Sequence, residues 1–434
     1  MESHMPRILM VAYTHYMRDG RVRRHAEALA ARGDSIDVIC LDHTDSGMRQ
    51  GVNIVGLEIA RYRGDSRTRY LRSYFDFFTR AASTAMRLNS SRRYDAAIVC
   101  TMPDAAILSA LPLRWFGTRL ILDVHDTMPE LYREKFGGRR GALGARLLML
   151  EERFCASLAD RVLAVHRPHA DRLAAAGVPA NKIRVVPNSP DPAIFKRLWP
   201  PDPGRDLTVV CHGTVTNRLG LDIAVNAMAL IHNRLPNLKL MIVGEGDHLA
   251  EIKALTRQLS LGQAISFKPP VAIQELPELL GCASIGLVPN RPTEATQLML
   301  PVKLLEYINL GIPVVCARLR TIEYYFPDDA VQYFKAGDAR QLADALELLC
   351  REPRRRAAIV GRAAEVAGSL SWEKKRADFF DAIDSVLPGY TAPGEAAEDS
   401  ADSSYDNEGE EFETHNGKLR TKYGSVNQPR RKSS

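Results

Sequence analysis

The chain has 434 residues, 45% of them hydrophobic and 25% charged, with a net charge of +6. A globular chain of that length has room for two domains, each able to bury its own core. Seven widely spaced cysteines without a C-x-x-C pair speak against a disulfide framework or a zinc site and suit a reducing compartment. No apolar run nears the length of about 18 residues that a membrane span needs.

Along the chain the charge is uneven. Residues 1–200 hold 31 Lys and Arg against 21 Asp and Glu, a surplus of ten. A positive field of this kind suits a phosphate-bearing acceptor, an anionic membrane surface or nucleic acid.

The first run, RILMVAY, predicts a short buried strand and is too short for a signal h-region. The polar loop THYMRDG follows, then a helix over Arg21–Arg32 stopped by Gly33, then the strand IDVICL. Residues Arg61–Arg93 hold nine arginines among Tyr62, Tyr70, Tyr74, Phe75, Phe77 and Phe78. Two readings fit: a basic, aromatic helix lying on an anionic membrane, or a helix that packs its rings into the core and its arginines into water. The strands AAIVC, RLILDV and RVLAV are almost wholly apolar, as in a parallel sheet covered on both faces.

Six prolines between Pro187 and Pro203 break the alternation and mark a linker. Beyond it LTVVCHG, LKLMIVGEG, AISF, SIGLVP and PVVCA alternate with helical stretches, giving a second doubly wound domain. Trp372–Leu387 is an amphipathic helix, and 391–434 is polar and charged enough to predict a disordered tail. The expected division is a first domain over 1–195, a linker over 196–204, a second domain over 205–370, a helix over 371–390 that crosses back to the first domain, and the tail.

Five segments could carry chemistry. In PVKLLEYINLGIPVV (301–315), Pro301 opens a helix, so the amides of Val302 and Lys303 form a helix N-terminus suited to a diphosphate. Lys303 adds a charge, and Glu306, one turn on, could take both hydroxyls of a ribose. In CHGTVTNRLGLD (211–222), Gly213 lets backbone approach a phosphate that Arg218 could neutralise, beside Thr214. In ILDVHDTMPE (121–130) a strand ends in His125 and Asp126, with Asp123 and Glu130 nearby. The loop RDGR brings Asp19, Gly20 and Arg21 to the start of the first helix. VGEGDHL (243–249) has Leu249 where a third glycine would complete a dinucleotide fingerprint, so Gly244 reads as cleft wall and nucleotide contact rather than an NAD site.

Together, and in this order, these segments resemble glycosyltransferase family 4. The 301–315 segment is similar to the family's donor-binding element in a subgroup reading P-x-K-x-x-E-Y-x-x-x-G-x-P-V-V. Glu306 matches the second Glu of the family's E-x7-E, and the first falls at Leu298. The resemblance spans about residues 5–388. It implies a GT-B fold: two Rossmann-like doubly wound α/β domains facing a cleft. It further implies a metal-independent, retaining transfer of a hexose from a UDP- or GDP-sugar, which is a substrate rather than a cofactor. The acceptor would be a saccharide or a lipid-linked saccharide in surface polysaccharide assembly. His125 and Asp126 would be catalytic. Gly213, Thr214, Arg218, Gly244, Val302, Lys303 and Glu306 would bind the donor, and Asp19, Gly20 and Arg21 would meet phosphate or acceptor. No metal ligand set and no nucleic-acid motif is expected, and the protein would work in the cytoplasm or against the inner face of the membrane. A GT-B sugar-nucleotide epimerase and an inactive sugar-nucleotide or membrane-binding protein stay open as alternatives.

Overall fold

The computed structural model describes residues 5–387 apart from Asp42, Thr44, Asp45, 60–66 and 197–206. The expected tail over 391–434 and most of the expected linker lie outside the described residues.

The first half contains strands β1 (Arg7–His15), β2 (Ser35–Leu41), β3 (Gly47–Arg49), β4 (Val52–Leu57), β5 (Ala96–Cys100), β6 (Arg119–Val124), β7 (Arg161–Ala164) and β8 (Ile183–Val185). Its helices are α1 (Gly20–Arg32), α2 (Arg67–Ser91), α3 (Met128–Phe136), α4 (Gly138–Leu158) and α5 (Arg167–Ala175). The second half contains β9 (Thr208–His212), β10 (Lys239–Val243), β11 (Ile265–Lys268), β12 (Ile285–Val288), β13 (Val314–Ala317) and β14 (Gln332–Phe334). Its helices are α6 (Leu221–Ile231), α7 (Leu249–Gln258), α8 (Leu276–Leu280), α9 (Glu294–Gln297), α10 (Val302–Leu310), α11 (Arg320–Tyr325), α12 (Ala339–Arg351) and α13 (Pro353–Gly368), and the final helix is α14 (Trp372–Asp384).

The strands form two sheets, ordered β3-β4-β2-β1-β5-β6-β7-β8 and β11-β10-β9-β12-β13-β14. Every pairing is parallel except the short β3–β4 hairpin at one edge. These are two Rossmann-like α/β domains. Strand order reverses between β1 and β5 in the first sheet and between β9 and β12 in the second, which is where such sheets open a crevice for ligands.

Side chains alternate across each strand, and β1 shows the consequence. Leu9, Val11 and Tyr13 join the core under α2 and α4, while Ile8, Met10 and Ala12 join the core under α1 and α14. Helix α14 therefore covers the first sheet, with Trp372, Phe379, Ala382 and Ile383 in that core. Arg32 at the end of α1 holds Asp384 at 2.8 Å.

In α2 the rings divide. Phe77 is buried, Tyr74 and Phe78 pack against the same core, and Tyr13 meets Tyr74 and Phe77 edge to face. Most of the described aromatic surface of 61–93 thus serves the core. Phe75 remains exposed. Among the described residues no helix is long and apolar enough to cross a membrane.

Candidate active site

The two halves meet around a cavity of about 180 Å³ at the carboxyl ends of both sheets. From the first half it is lined by His125, Asp126, Thr127, His166 and His169, and from the second by Leu298, Met299, Pro301 and Val302. Contacts across the cleft hold the halves together. Arg133 pairs with Glu294 at 2.7 Å, Thr293 Oγ1 donates to Glu134 at 2.8 Å, and Arg167 N–H donates to Tyr325 Oη at 2.9 Å.

On the first side, His125 follows the end of β6. Its Nε2–H donates to Asp123 Oδ2 at 3.0 Å, its backbone N–H donates to Thr101 Oγ1 at 3.0 Å, and Nδ1 has no partner among the described residues. Asp126 beside it is exposed at the cavity. Asp123 is fully buried and bound by Arg21 in a fork, Nη2 to Oδ1 at 2.6 Å and Nε to Oδ2 at 3.1 Å. Burial would raise its pKa, but the Arg21 guanidinium and then His125 outweigh that and hold the carboxyl well below the usual carboxylate range.

That pairing places the RDGR loop. Arg21 is buried, its third contact being the Val186 carbonyl at 2.9 Å, and its fork secures Asp123. Asp19 caps α1, its side chain accepting from Val22 N–H at 3.1 Å. Gly20 lies against the second half, where an added Cβ would sit 3.8 Å from Ile273 Cδ1. The loop builds the wall of the site.

On the second side, α10 docks on the end of β9. Glu306 Oε2 accepts from His212 Nε2–H at 2.7 Å, and Tyr307 Oη lies 2.8 Å from His212 Nδ1. Lys303 Nζ lies 3.8 Å from Cys211 Sγ. Lys303 and Glu306 are thereby brought to the strand end that carries Gly213 and Thr214, both exposed. Val302 opens α10 at the cavity. Gly213 has φ 111° and Gly244 φ 147°, and a Cβ on Gly244 would meet the Gly213 carbonyl at 1.9 Å. Only glycines let these two turns touch. Arg218 sits on the 3-10 turn Asn217–Leu219, its Nε unpartnered.

Three histidines escape the sequence reading. His212 was hidden within a strand end. His166 and His169 follow β7, and the signal for them was their place in VHRPH, two histidines just past a strand's carboxyl end. His166 caps α5 through Nδ1, which accepts from His169 N–H at 3.1 Å, and its Nε2–H donates to the Leu298 carbonyl at 3.0 Å. Burial, only partly opposed by the Leu298 carbonyl, pushes the His166 pKa down to about 4. His169 is buried with its ring 5.7 Å from that of His166, and among the described residues neither of its ring nitrogens has a hydrogen-bond partner. Burial, then the neighbouring His166, lowers it to about 3. Leu298 thus gives its carbonyl to His166 and lines the cavity where the family pattern has a carboxylate.

Among the described residues one group lies close enough to share a cation: Cys100, Asp123 and His125, with ligand atoms within 4.8 Å. The donor set suits one poorly. Arg21 occupies both oxygens of Asp123, and burial followed by Asp123 pushes the Cys100 thiol well up.

Two Rossmann-like domains with a basic turn and a helix N-terminus facing a His–Asp pair across a cleft define the GT-B class of glycosyltransferases. Residues 20–189 match the glycosyl transferase 4-like domain and residues 206–352 the glycosyl transferases group 1 domain, and the chain belongs to this GT4-like family. A GDP-mannose-dependent alpha-(1-6)-phosphatidylinositol monomannoside mannosyltransferase of Mycobacterium tuberculosis is 28% identical over 240 residues, 50% of this chain and 60% of that protein's length. The amylovoran biosynthesis glycosyltransferase AmsK of Erwinia amylovora is 26% identical over 43% of this chain and 46% of its own. Among solved structures, HepE of Anabaena in complex with UDP and glucose shares the fold, with a TM-score of 0.66 at 16% identity over 88% of this chain and 100% of that one.

Proposed function

We propose that the chain is a retaining glycosyltransferase that moves a hexose from a UDP- or GDP-sugar to a saccharide or lipid-linked saccharide in surface polysaccharide or glycolipid assembly. The observation that carries this reading is the cavity itself, where His125 and Asp126 of one half face Val302 and the start of α10 in the other. The names of the relatives, a phosphatidylinositol mannoside mannosyltransferase and an exopolysaccharide glycosyltransferase, support the substrate class.

In this reading Arg218, Lys303 and the first amides of α10 stabilise the leaving diphosphate, electrostatic work that needs no metal. Gly213, Thr214 and Gly244 shape the turns that approach it. Glu306, with Oε2 fixed by His212, offers Oε1 to the ribose. His125, turned by Asp123, presents Nδ1 to a hydroxyl of the sugar or acceptor, and Asp126 positions the acceptor. The halves close over the site and exclude water.

Thermal melting with UDP, GDP, ADP and NAD⁺, on wild type and Glu306→Ala, tests the donor site. A nucleotide at 100 times its Kd adds about 2.7 kcal/mol. A rise with UDP or GDP that Glu306→Ala removes is expected, and the responding nucleotide then selects the sugar donors for a transfer assay read by the anomeric signal of the product. If no nucleotide raises the melting point, the donor site drawn here is wrong.

A further inference from the structure

Helix α4 carries an apolar ridge that the protein leaves uncovered. Leu143, Leu147, Leu150 and Phe154 are 61%, 60%, 63% and 55% exposed. Their spacings of four, three and four place them on one face. The opposite face, with Ala145, Glu152, Cys155 and Ala156, is buried. Large apolar residues gathered on one exposed face mark an interaction surface.

The charges around the ridge select its partner. Arg139, Arg140, Arg146 and Arg153 are all exposed and flank it. The two acids of α4 do not balance them, since Glu152 is buried against Arg172 and Glu151 is half-buried and accepts from Cys155. Pairing with a second copy would set arginines against arginines. An anionic partner gains from all four. Apolar side chains on one helix face flanked by arginines are the pattern of an interfacial helix, whose apolar face sinks about 5–10 Å into the headgroup boundary.

Neighbouring elements add to it. Helices α2 and α4 both pack on the 3-10 helix Asp104–Ser109, whose Leu108 is exposed, and α2 exposes Leu71 and Phe75 beside Arg72. We infer that the α4 face, with the start of α2, docks the protein on a bilayer of anionic phospholipid, its leucines entering the interface and its arginines meeting the headgroups. This does not rest on the transfer reaction.

Co-sedimentation of the full chain with vesicles of phosphatidylcholine alone, or mixed with phosphatidylglycerol, tests it at low and high salt without donor or acceptor. Binding to the anionic vesicles alone, weakened by salt, is expected. Leu147→Glu/Leu150→Glu should abolish it, and Arg146→Gln/Arg153→Gln should weaken it about 25-fold, about fivefold per arginine. Both pairs are exposed, so melting points should match wild type. No binding to anionic vesicles, equal binding to both kinds, or binding that survives both variants overturns the inference. So does a dimer in sedimentation velocity that Leu147→Glu/Leu150→Glu splits, because the face would then belong to a second copy.

Discussion

Arg21 and Asp123 are the residues on which the first side of the cleft turns. Removing one partner of a buried ion pair strands the other charge, at a cost of about 3–5 kcal/mol. Arg21→Ala should lower the urea-unfolding free energy by that much, and Arg21→Lys should recover little, because an ammonium cannot reproduce the fork. On the second side His212→Phe removes the hydrogen bond that fixes Glu306. A charge-assisted bond contributes about 1.5–3 kcal/mol, so nucleotide affinity should fall by at least about tenfold, measured by titration calorimetry, with the fold intact. These residues also mark the limit of what sequence patterning conveys. His125, Glu306 and Gly213 stand in spaced motifs and were legible. The partners that orient them were not, because Arg21 reaches Asp123 across 102 positions and His212 reaches Glu306 across 94, and no local pattern encodes such pairs. Arg21 shows the same limit: an arginine beside a glycine loop looks like an anion ligand, and nothing local announces its buried carboxylate.

At the scale of elements, the strands that were legible are those buried on both faces. AAIVC and PVVCA are apolar throughout, and α10 is bracketed by Pro301 and by Gly311 in the left-handed region at φ 79°. The pieces that escaped have mixed signals. Helices α3 and α4 are interrupted by Gly137, Gly138, Gly141 and Gly144, the last lying where a Cβ would come 2.2 Å from the Tyr132 ring, so close packing of the pair removes the usual periodicity. The leucines on the outer face of α4 run against the expectation that apolar residues point inward. Strands β3 and β14 have three residues each, too few to alternate. The turns after β9 and β10 make a prediction at this scale. Gly244→Ala must move the Gly213 backbone, so nucleotide-induced stabilisation should vanish, whereas Gly262→Ala, with nothing within 4 Å of the new methyl, should melt and bind like wild type.

For the whole molecule, buried histidines set the response to acid. Burial chiefly pushes His25, His166 and His169 down from the ordinary 6.5 of histidine to about 3, 4 and 3. The unfolded chain binds these protons first as the pH falls below 6.5, so each group withdraws stability between there and its folded value. At pH 5 each costs about 2 kcal/mol. Glu152, raised by burial to about 7 despite Arg172, works the other way and gains stability over the same range. Asp104, Glu151, Glu27 and Asp34, also raised by burial, act in the same sense as Glu152, so the histidine part is isolated by substitution: relative to wild type, His169→Gln should gain unfolding free energy as the pH falls from 7 to 5. A difference between the two proteins that stays constant over that range would show that the His169 ring is not buried as a neutral species.

The return of α14 to the first sheet has a consequence for biosynthesis. His25 is stacked on Phe379 at 4.1 Å, so the face of α1 near it is finished by residues made after the whole second half. A nascent chain that has completed β1 through β8 still shows an open apolar flank, and it keeps that flank while the entire second half emerges from the ribosome. Of these two domains the one begun first is completed second, and while the other is made it presents a natural substrate for chaperones.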